Sequence, residues 1–164
     1  MRALWLALLM GLMLAGCATP SRPDKMATTA GANPREWQGR ISVQVQGDAP
    51  SAMSASFLLR GNASHGELDL YSPLGTTVGA LQWSPQFVQL SNGNTHQHFN
   101  SLAELTEKTT GAALPIDALF SWLQGQDVPI SGWQADLSGM SQGAINAKRT
   151  DPAPEVTLRI KLDQ

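Results

Sequence analysis

Cysteine occurs once in the 164 residues, as Cys17, so the chain can form neither an internal disulfide nor a cysteine-built zinc site. Charge is also sparse. Asp, Glu, Lys and Arg make up 15% of the chain, against roughly 25% in an ordinary soluble domain. Eleven basic residues against thirteen acidic ones leave a net charge of −2, which excludes a basic surface for nucleic acid. Of the three histidines, His96 and His98 are two apart and would share one face of a strand. Only His65 remains as a third ligand, so neither a metal nor another cofactor is expected. There is no nucleophile elbow and no phosphate-binding glycine loop. Glu67 and Asp69, the nearest approach to an acid–base pair, fall on the wet face of a strand, and Trp83, Trp122 and Trp133 suit packing better than a sugar platform. An enzyme is not expected.

Long apolar runs are missing too. The longest, Ala3 to Leu14 (ALWLALLMGLML), is twelve residues, whereas a bilayer-spanning helix needs ~20. It follows the positive start Met1-Arg2 and has the length of a signal-peptide core. Leu14-Ala15-Gly16-Cys17 comes next and matches the lipobox of bacterial lipoprotein precursors. The sole cysteine stands where a lipobox needs its thiol. Residues 1–16 then read as a signal peptide, with Cys17 as the lipid-bearing mature N-terminus. Two or more acyl chains anchor stably where one does not. Ala18 follows the cysteine where an aspartate would resemble an inner-membrane retention signal, which favours the outer membrane. Residues 17–34, small, polar and rich in proline, read as a lipidated tether, and residues 35–164 as the folded domain.

The folded part alternates with period two. Trp37, Gly39, Ile41, Val43 and Val45 share one face, and Gln38, Arg40, Ser42 and Gln44 the other. Met53, Ala55, Phe57 and Leu59, then Leu68 and Leu70, repeat the pattern. Further strands are predicted over Thr76–Trp83, Phe87–Ser91, Thr95–Phe99, Trp133–Leu137, Ala144–Arg149 and Val156–Leu162. Short turn-rich links make an antiparallel meander the default. One helical interruption stands out. Ser101 with Glu104 forms a capping box for a helix closed by Gly111, and Pro115 opens a second helix that runs to Gln124 and stops at Gly125. Two short helices cover only part of so broad a sheet. It must curl over its own apolar face, with the helices capping the interior. That interior is either fully packed or hollow enough for a ligand, and the residues leave both open.

Tyr71-Ser72-Pro73-Leu74-Gly75 predicts a tight turn whose tip carries an apolar residue. Either Leu74 folds back into the core, or a rigid turn holds it out at the loss of roughly 1.5–3 kcal/mol of burial.

Three passages resemble the LolB family, outer-membrane lipoprotein receptors of the lipoprotein-sorting pathway. They are Gly66–Gln82 (GELDLYSPLGTTVGALQ), Thr110–Gly125 (TGAALPIDALFSWLQG) and the first strand Trp37–Val45 with Gly39 and Arg40. The resemblance implies a mainly β fold, a curved antiparallel sheet forming an unclosed barrel, with short helices plugging an apolar cavity. It implies acceptance of triacylated lipoproteins from a soluble LolA-like periplasmic carrier and their release into the inner leaflet of the outer membrane. The family's protruding leucine maps onto Leu74, between Pro73 and Gly75, although this chain has Ser72 where the family often has Asn. Strand alternation then selects Ile41, Val43, Phe57, Leu59, Leu68 and Leu70 as acyl-cavity walls, with Leu119, Trp122 and Leu123 on a movable lid. The anchor is Cys17, the domain faces the periplasm, and the protein is expected to be a monomer. The segment after Gly125 is shorter than in the family and lacks its terminal tryptophan, which leaves the strand number open. The rival reading is a structural or assembly outer-membrane lipoprotein with a packed core and an exposed edge that binds a protein partner.

Overall fold

A computed structural model describes residues 35–164; Cys17 and the segments read as signal peptide and tether lie outside the described residues. Nine strands form one antiparallel sheet: β1 (Glu36–Gln46), β2 (Ser51–Gly61), β3 (Gly66–Tyr71), β4 (Thr77–Ser84), β5 (Phe87–Asn92), β6 (Thr95–Phe99), β7 (Trp133–Asp136), β8 (Ala144–Arg149) and β9 (Glu155–Leu162). Two helices, α1 (Leu102–Thr110) and α2 (Ile116–Leu123), stand between β6 and β7. Every expected strand and both helices are present.

The spatial order is β6-β5-β4-β3-β2-β1-β9-β8-β7. The sheet is therefore two meanders joined where β9 pairs with β1, rather than one continuous meander. Register puts Ile41 opposite Ala55 on one side and Ile160 on the other, so the apolar face continues across the joint. Gly39 makes the joint possible, because a Cβ there would run into the Lys161 carbonyl of β9. β6 and β7 are unpaired on their outer edges, which leaves the barrel unclosed.

Curvature is set by the helix contacts. Six strand spacings separate β4 from β7, about 29 Å across a flat sheet. Yet Trp83 of β4 meets Phe120 at 6.2 Å, and Trp133 of β7 meets Trp122 at 6.2 Å. Both partners sit on α2, which at eight residues is only about 12 Å long. The sheet curls around that helix.

The alternation seen in the sequence becomes the burial pattern. Ile41, Val43 and Val45 of β1 are buried, as are Phe57 and Leu59 of β2 and Val156, Leu158 and Ile160 of β9. α2 buries Ala118, Leu119, Phe120, Trp122 and Leu123 against them, while α1 contributes Leu105. The capping box is only half as expected. Ser101 Oγ accepts the Glu104 N–H at 3.1 Å, but the Glu104 carboxylate turns to Asn100, accepting its backbone N–H at 2.9 Å and its side-chain amide at 2.8 Å. With Lys108 at 2.9 Å as well, that carboxyl is pushed down to about 2.

Strand direction decides which loops share an end of the sheet. β1, β3 and β5 run in parallel, and the β9 residue Glu155 pairs with Gln46. The turns after β1, β3, β5 and β8 therefore emerge from one end.

Candidate functional site: an exposed leucine loop and a helix-filled interior

The β3–β4 loop is built to hold its tip still. Gly75 N–H donates to the Ser72 carbonyl and Ser72 N–H to the Thr76 carbonyl, both at 2.9 Å. The Ser72 hydroxyl accepts the N–H groups of Leu74 and Thr76 at 3.3 Å, the local acceptor role an asparagine could also fill at that position. Gly75 adopts φ 79°, the left-handed conformation glycine enters without a Cβ penalty. Leu74 is 93% exposed at the tip, so the folded-back alternative does not occur. At the foot of the loop Leu70 pairs with Gly79 and Tyr71 with Thr77. Val78 is thereby left as the extra residue of a β-bulge, and it too is exposed. Burial pushes the Tyr71 phenol up, with Asp69 adding to the effect, so the hydroxyl beside the loop is neutral at physiological pH. The loop presents an uncharged, apolar tip on a stiff hairpin.

Of the nine residues expected to wall or cover an acyl cavity, seven lie together in the buried core: Ile41, Val43, Phe57, Leu59, Leu119, Trp122 and Leu123. Leu68 and Leu70 are half-buried and pack on its margin, because β3 carries intermediate exposure along its whole length. The side chains of α2 occupy the space between these walls, and acyl chains would have to take their place. A hollow of about 480 Å³ opens at the other end of the sheet from Leu74, where both helices begin. Trp83, Val88, Leu102, Leu114, Ile116 and Ile130 supply its apolar lining, and none of the nine residues borders it.

The helix pair is joined by a pinned corner and docked by packing. Thr106 Oγ1 accepts the Leu114 N–H at 3.0 Å, and Thr110 Oγ1 donates to the Thr106 carbonyl at 2.7 Å. Ser51 of β2 donates to the Thr110 carbonyl. α2 itself begins at Pro115 with no side-chain cap, and its hold on the sheet is mainly aromatic: Phe120 on Trp37 and Trp83, Trp122 on Trp133. The apolar burial behind these contacts is non-directional and can be exchanged for other apolar surface. The three tryptophans considered as a sugar platform are thus core residues. Trp83 donates its indole N–H to the Asn62 and Ala63 carbonyls, at 3.0 and 3.1 Å. His96 and His98 are exposed on β6, with His96 Nδ1 against Ser91 Oγ at 2.8 Å. No helix among the described residues is long and apolar enough to cross a membrane.

One inward residue is not anticipated by the strand pattern. β8 turns Ile145, Ala147 and Arg149 to the interior, so a cation stands where the period asks for an apolar side chain. That break in the alternation is the signal the sequence carries for it.

The chain matches the family model described as "Outer membrane lipoprotein LolB" over residues 34–154. It belongs to the LolB family. It is 29% identical over 184 residues to the outer-membrane lipoprotein LolB of Bordetella petrii, covering 98% of this chain and 92% of that one. To the LolB of Shewanella sp. strain MR-4 it is 33% identical over 153 residues, with 90% and 70% covered. To that of Chromobacterium violaceum the identity is 29% over 136 residues, with 82% and 74% covered. The match to the LolB family model includes the Leu74 loop and both helices and stops one residue before β9. The strand that closes the joint to β1 therefore lies just beyond the residues that the family model matches.

Proposed function

We propose that this LolB-family chain is an outer-membrane lipoprotein receptor of lipoprotein sorting. In this reading it takes triacylated lipoproteins from a LolA-like periplasmic carrier and inserts them into the inner leaflet of the outer membrane. Cys17 carries the lipid anchor and the domain faces the periplasm. The observation that carries the reading is Leu74, 93% exposed on a loop whose hydrogen bonds and left-handed glycine leave it no route into the core. With Val78 exposed at its foot, the loop offers two apolar side chains that recover their burial only against another apolar surface, which a bilayer supplies.

The energetics need no nucleotide. Each acyl methylene costs about 0.8 kcal/mol in water, so cargo must pass between apolar sites without becoming free. The apolar walls on β1, β2 and β3 supply such a site once α2 shifts, with Leu119, Trp122 and Leu123 as the lid. Leu74 and Val78 then touch the bilayer that receives the chains. No side chain acts as acid, base or nucleophile in this scheme. The test is delivery: with Leu74→Glu, cargo uptake from the carrier is expected to continue while transfer to liposomes stops.

The rival reading, a packed structural or assembly lipoprotein, draws on the interior filled by α2. It predicts no saturable binding of a triacylated lipopeptide to the full-length chain, whereas the receptor reading predicts saturable binding.

A further inference from the structure

Arg149 and Trp122 are the two buried side chains among the described residues that keep a polar atom without a partner. Arg149 is 9% exposed and Trp122 1%. Both border Trp133: the guanidinium lies 5.7 Å from its ring centre and the Trp122 ring 6.2 Å away. The guanidinium donates to two backbone carbonyls, Ala113 in the α1–α2 corner at 3.4 Å and Pro154 in the β8–β9 turn at 3.2 Å. Its Nε–H finds no acceptor, nor does the Trp122 indole N–H. No ion pair among the described residues includes Arg149. Two buried side chains packed on the same tryptophan thus each keep a donor without an acceptor, an arrangement that folded proteins keep rare.

The chemistry that would complete it is narrow. The ligand must enter with apolar material and bring acceptors without donors of its own. Ester carbonyls of a diacylglyceryl group fit that description, because each has lone pairs and no N–H or O–H. Arg149 ends β8, at the same end of the sheet as the Leu74 loop. A glyceryl group held there would leave its acyl chains free to run inward along β1 and β9, and would place the cargo's head on the side from which the loop projects.

We propose that Arg149 and Trp122 form a subsite for the ester carbonyls of the cargo's diacylglyceryl group. The proposal rests on the receptor reading and adds to it a preference for esters over bare hydrocarbon. When the α1–α2 corner moves, a cargo carbonyl replaces the long contact to Ala113, and another can take the Trp122 indole N–H.

The experiment is a competition on the full-length chain. A triacylated lipopeptide with two ester-linked glyceryl chains competes against its analogue with both chains ether-linked, and native mass spectrometry reads the ratio of the two complexes. The wild type is expected to favour the ester form by about tenfold, the worth of a hydrogen bond to a charged donor. Arg149→Met is expected to shrink that ratio toward one while leaving binding of the ether form unchanged; Trp122→Phe, at a lid residue, is expected to shrink the ratio whatever it does to the affinity for either form. Equal binding of both lipopeptides by the wild type would overturn the subsite, as would a ratio that both variants preserve. If neither lipopeptide binds the wild type, the receptor reading falls as well, which separates the two failures. Equal binding by the wild type overturns the subsite even if a variant does not fold.

Discussion

Leu74→Glu separates folding from delivery. At 93% exposure the leucine contributes almost nothing to the core, and surface substitutions of this kind stay within about 0.5 kcal/mol. The loop's hydrogen bonds run through backbone groups and the Ser72 hydroxyl, none of which the substitution removes. Thermal unfolding should therefore be nearly unchanged. Burying a leucine side chain in hydrocarbon is worth about 1.5–3 kcal/mol, and at 1.36 kcal/mol per factor of ten that is about ten- to a hundredfold in rate. The glutamate forfeits that gain and adds a charge the bilayer rejects, so the loss should be at least as large. Leu74→Ala, which keeps one methyl group, should fall between. The assay loads a lipidated fluorescent cargo onto the carrier, adds the full-length variant and liposomes, and follows uptake and release separately. Wild-type delivery by Leu74→Glu at unchanged stability would refute the role of the loop.

The same contacts have other consequences. Gly39→Ala places a Cβ against the Lys161 carbonyl; overpacking of this kind costs about 1–3 kcal/mol, and the melting temperature should drop with loss of β1–β9 pairing. Glu104, held down to about 2 by Lys108 and Asn100, contributes stability that is present above its ordinary carboxyl range and lost as pH falls toward 2. The difference in melting temperature between wild type and Glu104→Gln should therefore vanish on acidification and persist at neutral pH; a difference constant with pH would contradict this. Cys17→Ser should abolish incorporation of labelled palmitate, and continued labelling would place the anchor elsewhere.

The β architecture was legible because one face of the sheet is buried and the other wet, so period-two alternation survives in β1, β2 and β9. The helix pair was legible through Ser101, Gly111 and Gly125, residues whose backbone roles leave few alternatives. Pairing across the sheet was not. The joint between β9 and β1 brings together the two ends of the folded domain, and local pattern carries no information about such distant partners. The direction of Leu74 was also open at the residue level, since its burial free energy argues inward and only the hydrogen-bonded turn holds it out. β3 shows the limit of alternation as a guide to cavity walls: Leu68 and Leu70 share a face with Phe57 and Leu59 but stay half-buried. Arg149 was visible as a break in the β8 pattern, yet its meaning depends on Trp122 and Trp133, which the fold brings together from α2 and β7.

The central claim is that α2 leaves the inner face of the sheet so that acyl chains can occupy it. A structure of the full-length protein with a triacylated lipopeptide bound tests this most directly. The account predicts hydrocarbon against Ile41, Val43, Phe57 and Leu59, with α2 shifted so that Leu119, Trp122 and Leu123 line the acyl chains rather than the sheet. A lipopeptide bound outside a core whose side chains have not moved would contradict it.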